Sequence, residues 1–224
     1  DGVWMAPRDL THAYARAFWD AGFQLHAHSN GDAATDWFLS LLATLLKESP
    51  RQDHRMTVEH LAYNTEDQVR RLKALGAVVS ANPYYHYILS DMYSGEWLGP
   101  DRGPQMSRLG ALEHADIPLA LHSDNPMAPL SPLTLMWSAV ARETINGRQG
   151  LEIEKISREK ALRAITIDAA WVAGLEQDIG SIRAGKRADF TVLADDPMTV
   201  DLAQLKEIPV VATVYAGEPY PIDQ

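Results

Sequence analysis

Three candidate strands of this sequence end at residues that can do chemistry. His28 and His60 close two of them, and Asp124 follows the third by two residues. A histidine at one strand end is commonplace, whereas two histidines and an aspartate at three strand ends indicate a shared functional site. The chain contains no cysteine, so any metal there must be bound by histidine and carboxylate groups. The alternative for Asp124 is a turn-capping role before Asn125-Pro126.

Two further histidines share a face with these residues. Because side chains alternate along a strand, His26 points the same way as His28, and His122 the same way as Asp124. In a β/α barrel that face lines the lumen, and the last strand residues reach the mouth where active sites are built. His122 is therefore a candidate to hydrogen-bond substrate, whereas His26 is either a substrate group or a histidine packed in the lumen.

The order of periodic segments predicts a parallel α/β fold. The candidate strands cover 23–28, 56–60, 77–81 and 117–122, and each is followed, directly or after a loop, by helical apolar spacing. Thr65 and Gln68 form a capping box, Gly76 ends that helix, and Ser131-Pro132 begins another. A last helix is predicted over 157–175. Four strand–helix units in this order are typical of a parallel sheet.

A segment rich in aromatic residues separates the third strand from a short helix predicted near 107–115. It is too long for a simple turn, so we expect a loop at the mouth that serves as a lid or specificity element. Its candidate substrate-binding residues are Tyr84, His86, Trp97 and Arg102. The aromatic members would suit an apolar or aromatic substrate group. The alternative is a loop that only packs on itself.

After Leu175 the sequence pattern changes. Short strand candidates alternate with glycine and Asp-Pro turns, and no helical period is visible. This predicts a separate small β element, with a boundary between 175 and 180.

The amino-acid composition limits the classes of binding partner that we expect. The chain is 46% hydrophobic and 22% charged, which is the balance of a globular enzyme. Its net charge of −10 and the lack of a basic run argue against nucleic acid and anionic membranes as partners. No stretch approaches the roughly 20 apolar residues of a membrane span, and no signal peptide is visible. We therefore expect a cytoplasmic protein that acts on a small-molecule substrate.

Four segments resemble the amidohydrolase superfamily, in the branch of YtcJ-like proteins and N-substituted formamide deformylases. HSNGDAATD, from His28, resembles the fifth-strand signature of that branch, and LHSDNPMAPLSPL, around Asp124, resembles its eighth strand. TVEHLAYNTEDQVRRLKALGAVVSANP resembles its sixth strand, helix and seventh strand. IGSIRAGKRADFTVLADDP resembles the C-terminal return to a β-sandwich. These segments follow the order of the family along nearly the whole chain.

The resemblance implies the C-terminal half of a (β/α)8 TIM-like barrel, strands 5–8, over residues 1–176. Residues 177–224 would be the C-terminal strands of a small flanking β-sandwich. His28 and His60 would be ligands of a divalent metal, preferably zinc, and Asp124 would bind metal-activated water and carry its proton. Neutral imidazoles leave zinc its charge, which acidifies bound water, and a nearby carboxylate can take up the released proton. The implied reaction is hydrolysis of a non-peptide C–N bond, of amide or N-formyl type.

The chain departs from the family in its metal ligands. The superfamily supplies a His-x-His on its first strand and a carboxylated lysine or a glutamate on its fourth. His26-Ala27-His28 is not that pair, because Gly31-Asp32 follows it directly, and Lys47 and Lys73 belong to helices. The chain does not begin with methionine, and a complete barrel needs about 250 residues, so we expect a missing N-terminal half.

Two consequences follow from that expectation. The isolated chain would be inactive, and its open sheet edges would be covered by the missing half or by another copy of the chain. The rival interpretation is a non-catalytic fragment, or one subunit of a split enzyme, with a structural role alone.

Overall fold

The computed structural model describes residues 3–222, and its centre is a four-stranded parallel sheet. The strands lie in the order β1-β2-β3-β4, and every neighbouring pair is parallel. Their bounds are β1 His26–Ser29, β2 Thr57–His60, β3 Val78–Ala81 and β4 Leu119–Leu121. The parallel α/β fold predicted from the strand–helix order is therefore confirmed, although each strand is shorter than its predicted segment.

Helices connect and cover these strands. Their bounds are α1 Arg8–Asp20, α2 Asp32–Glu48, α3 Glu66–Leu75, α4 Tyr84–Met92, α5 Gly99–Arg102, α6 Leu109–His114, α7 Pro132–Ala141, α8 Arg158–Ala164 and α9 Ile167–Val172. The predicted helix signals are confirmed at three places. Thr65 and Gln68 make both hydrogen bonds of a capping box, Gly76 ends α3 in the left-handed conformation, and Ser131 caps α7 ahead of Pro132.

The two faces of the sheet differ in chemistry. Ala27, Val58, Val79 and Leu119 lie on one face and belong to the main hydrophobic core beneath the helices. Side chains alternate along each strand, so the opposite face carries the row His28, Glu59 and Ser80, which are direct neighbours in the strand register. The first face therefore packs in the main core, whereas the second combines these polar groups with a small apolar cluster that contains Val78 and Ala120.

The aromatic segment is not a loop, which corrects the prediction. It folds as α4, a π-helical turn Tyr93–Trp97, α5 and a 3-10 turn Gly103–Gln105. The side chain of Asn82 accepts a hydrogen bond from the backbone N–H of Tyr84 at 3.0 Å, which caps the start of α4. Asn82-Pro83 therefore begins a helix at the point where a loop was expected.

Three other features of the structure were not predicted from the sequence. The predicted helix over 157–175 is interrupted between α8 and α9 at Thr166, whose ψ of −99° is not helical. Helix α1 was not predicted from the sequence. His54, in the connection between α2 and β2, is 4% exposed, with one ring nitrogen 2.9 Å from the carbonyl oxygen of Leu75 and the other 2.9 Å from the backbone nitrogen of Met56.

The C-terminal residues form a second, antiparallel sheet in the order β5-β6-β7. Its strands are β5 Phe190–Leu193, β6 Val210–Tyr215 and β7 Glu218–Pro221. A 3-10 helix, Leu202–Glu207, lies between the first two strands, and its buried Leu205, with Ile208, joins the main hydrophobic core. The chain thus returns from the small sheet to the main core before it completes that sheet.

Within residues 3–222, no helix combines the length and the apolar composition that crossing a membrane would require.

Candidate functional site

The carboxyl ends of the parallel strands bring three histidines together. His28 lies on β1, His60 ends β2, and His122 follows β4. The ring centroids of His28 and His60 are 4.5 Å apart, and those of His60 and His122 are 4.8 Å apart. Carboxyl ends of parallel strands meet at one edge of the sheet, so residues far apart in sequence share this small volume. His60 is the centre of the cluster.

Asp124 joins the cluster from the loop after β4. Its Oδ2 lies 3.7 Å from Nδ1 of His60 and accepts a 3.1 Å hydrogen bond from the hydroxyl of Tyr85. The backbone φ is 50° at Asp124, 72° at His60 and 48° at Leu61. Residues other than glycine adopt these angles at a cost, and such strain concentrates at functional sites. The chain therefore turns sharply where it presents the two groups.

The protonation state of His60 suits a cation ligand. Burial, together with the neighbouring His122 and His28, lowers the pKa of His60 to about 4. Burial also lowers the pKa of His122. An imidazole that stays neutral at physiological pH keeps a lone pair for a metal ion.

Glu59 forms a second polar pair on the same face of the sheet. Its Oε1 lies 2.6 Å from Nδ1 of His26, and it is the register neighbour of His28. Burial alone would raise the pKa of Glu59, but hydrogen bonds with His26 and Ser80 and the nearby His122 lower it. Glu59 was not predicted from the sequence, although a charged residue within the short strand segment before His60 was an available signal.

Tyr85 is the other residue that the sequence analysis missed. Its hydroxyl lies 3.5 Å from Nδ1 of His60 as well as 3.1 Å from Asp124, and its side chain is 7% exposed. Burial raises the pKa of Tyr85 to about 12, so the hydroxyl keeps the proton that it donates. No local pattern singles this tyrosine out, because its direction depends on α4 being a helix.

The remaining candidates of the aromatic segment lie elsewhere. Tyr84 packs on Tyr87, with ring centroids 5.1 Å apart, and Trp97 packs on Tyr93 at 4.7 Å. Nη2 of Arg102 donates to Oδ2 of Asp32 at 2.7 Å. This ion pair ties the segment to the first residue of α2.

His86 does not reach the cluster. It is 1% exposed, and neither ring nitrogen has a hydrogen-bond partner among the described residues. Successive residues of a helix point about 100° apart, so α4 turns His86 away from the site when it directs Tyr85 into it. The expectation that His86 lies at an open mouth is wrong.

The cluster contains some of the donor groups that a divalent cation would need. Among residues 3–222, no group of three or more histidine and carboxylate side chains has a metal-binding arrangement. The two close imidazoles of His28 and His60, with the Asp124 carboxylate beside them, nevertheless match the nitrogen and oxygen donors of zinc. These residues fit a divalent cation as part of a larger ligand set.

An apolar groove of about 830 Å³ lies along the outer side of β1. His26, His28 and Asn30 line one wall, and Tyr14 and Trp37 are among the residues of the other. β1 is an edge strand of the four-stranded sheet. The groove therefore runs beside backbone groups that no strand within 3–222 pairs with.

Comparison with known proteins gives a family model described as "Amidohydrolase family", which matches residues 2–220. The N-substituted formamide deformylase of Arthrobacter pascens is 31% identical over 197 residues, which are 88% of this chain and 36% of that protein. The putative amidohydrolase YtcJ of Bacillus subtilis is 29% identical over 203 residues, or 89% of this chain and 37% of its own length.

A similar solved structure is that of an uncharacterized metal-dependent hydrolase from Pyrococcus horikoshii OT3. It superposes with a TM-score of 0.76 at 24% sequence identity, over 91% of this chain and 40% of that one. At this identity the likeness concerns the fold. The chain thus spans somewhat more than a third of the length of the two curated relatives.

Proposed function

The chain belongs to the amidohydrolase family, and from that premise we propose that it contributes to a divalent-metal-dependent hydrolase of non-peptide C–N bonds. The observation that carries the proposal is the cluster of His28, His60 and Asp124 at neighbouring strand ends. The rings are 4.5 Å apart, and the carboxylate lies 3.7 Å from His60. A fold alone supports many chemistries, so the donor set carries the argument.

His28 and His60 would hold the cation, and we propose zinc because imidazole nitrogens are among its preferred donors. When bound, such a cation polarises the substrate carbonyl and lowers the pKa of water. Asp124 accepts the proton of the attacking water and delivers it to the leaving nitrogen, as general acid–base catalysis requires. The Asp124 side chain is 43% exposed, so its carboxylate is accessible to the attacking water and to the leaving nitrogen.

The proposed substrate class is supported by the name of a similar protein and by the apolar residues beside Asp124. The Arthrobacter protein is named as an N-substituted formamide deformylase, so we propose an amide or N-formyl substrate. Tyr63, Tyr85 and Met106 form a buried apolar cluster beside Asp124, with Tyr93 and Met127 packed against it. This wall would receive an apolar or aromatic substituent on the substrate nitrogen. His122 remains our candidate to hydrogen-bond the substrate, since it lies against His60.

We propose that the four parallel strands are strands 5–8 of a (β/α)8 barrel. Residues 3–222 supply two close imidazoles but no complete ligand cluster, so further ligands would come from additional polypeptide or another copy of the chain. The groove beside β1 would receive that polypeptide, with a strand paired to the free edge of β1. A structural role without catalysis is the second candidate, and the incomplete ligand cluster favours it for the chain by itself.

Two substitutions in the intact protein test the catalytic proposal. Asp124→Asn keeps the shape of the side chain but cannot accept a proton at neutral pH. We expect kcat/KM on an N-formyl amide to fall by roughly 10²–10⁴-fold, with metal content unchanged. His60→Ala should lower both metal content and rate, because it removes a ligand.

The exposed His114, at the end of α6, supplies the control substitution His114→Ala, which should change neither quantity. Metal content by elemental analysis and steady-state kinetics read out all three variants. Near-normal turnover by Asp124→Asn would reduce Asp124 to a turn-capping residue. An intact, metal-loaded protein that hydrolyses no amide would favour the structural role.

A further inference from the structure

The hydroxyl of Tyr85 is the one group of the aromatic segment that enters the His60–Asp124 cluster. It donates to Oδ2 of Asp124 at 3.1 Å and lies 3.5 Å from Nδ1 of His60. The ring packs in the apolar cluster with Tyr63 and Met106, so the hydroxyl stands at the boundary between that wall and the polar site. The direction of the hydroxyl is thus held by packing.

The other oxygen of Asp124 has different surroundings. No side chain of residues 3–222 hydrogen-bonds to Oδ1, and the Asp124 side chain is 43% exposed. A short side chain on a loop can rotate about its last torsion, which turns the plane of the carboxylate and so changes where its free oxygen points. One directional bond to Oδ2 restricts that rotation and leaves Oδ1 toward the open part of the site.

We propose that Tyr85 is a positioning residue that holds the Asp124 carboxylate so that Oδ1 is the oxygen that exchanges the proton. This inference rests on the proposed role of Asp124 as the proton carrier. It gives the aromatic segment a function besides substrate contact, because α4, which follows β3, sets the orientation of a group that follows the neighbouring strand β4. Catalytic groups held in a single orientation avoid the cost of being ordered during the reaction.

α4 also supplies a matched control. Tyr87 lies two residues after Tyr85, and its ring packs against Trp137, with centroids 5.4 Å apart. Tyr85→Phe and Tyr87→Phe each remove one tyrosine hydroxyl from α4. Only the first substitution removes a bond to Asp124, so a difference between them reports on that bond.

The test is a double-mutant cycle of Tyr85→Phe and Asp124→Asn in the intact, metal-loaded protein. Loss of one hydrogen bond to a charged group corresponds to about a ten- to hundred-fold change, so Tyr85→Phe should lower kcat by that factor. KM should stay within about twofold, since no substrate contact is lost. In the Asp124→Asn background, Tyr85→Phe should cost about twofold or less, because it acts through Asp124. Tyr87→Phe should leave kcat unchanged.

A second measurement, of stability, requires no substrate. The urea unfolding midpoints of the parent, Tyr85→Phe, Asp124→Asn and the double variant should shift non-additively, because the two side chains share one hydrogen bond. If no amide is hydrolysed, the proposed function fails, while the midpoints still test the Tyr85–Asp124 contact. Additive midpoints would overturn the contact. An equal fall in kcat from Tyr85→Phe in both backgrounds would overturn the positioning role and reduce Tyr85 to a packing residue.

Discussion

His86 should make the folded chain sensitive to mild acid. The side chain is 1% exposed, and burial together with Arg142 and Arg148 lowers its pKa to about 3. In the unfolded chain the pKa returns to about 6.5. As the pH falls below that value, unfolded His86 takes up a proton and folded His86 does not, so the native state loses stability until about pH 3.

The size of the effect follows from the two pKa values. Between about pH 7 and pH 5, the difference in proton binding removes about 2 kcal/mol of folding free energy at this one residue. His86→Leu removes the titrating group at nearly constant volume. The variant should therefore lose about 2 kcal/mol less than the parent over the same pH interval.

Urea unfolding at about pH 7 and pH 5 measures this difference directly, because the other histidines are common to both proteins. His12→Leu, at an exposed position of α1, is the control and should keep the parental pH dependence. Equal losses of stability in the parent and in His86→Leu would refute the reasoning. That result would mean that His86 is hydrated or paired in the folded protein.

Two further predictions concern local structure, each read by urea unfolding. Thr65→Ala removes the side chain that accepts a bond from the Gln68 backbone, so it should cost about 1 kcal/mol, and an unchanged midpoint would contradict the cap. Gly110→Ala would bring its methyl group within 2.0 Å of the carbonyl oxygen of Ile153, so it should cost roughly 1–3 kcal/mol or more. Gly95→Ala meets no atom within 4 Å and should be tolerated; similar losses for both would refute the packing argument.

Much of the main sheet could be predicted from local patterns. Mainly apolar segments of five or six residues between helical periods indicated the parallel strands, and the Thr65–Gln68 box and Gly76 marked the ends of α3. These signals act over a few residues, so the local sequence contains them completely. The prediction of a loop for the aromatic segment was wrong, because Asn82-Pro83 is compatible with a loop and with the start of a helix.

In the candidate site, too, some features could be predicted from local sequence and others could not. His28, His60 and Asp124 could be proposed from the sequence, because residue type and position at a strand end are local properties. The pairing of Tyr85 with Asp124 joins residues 39 positions apart, and that of His26 with Glu59 joins residues 33 apart. Such contacts depend on strand register and on the rotation of a helix about its axis, which are set by packing across the whole core. Only the tertiary structure decides them.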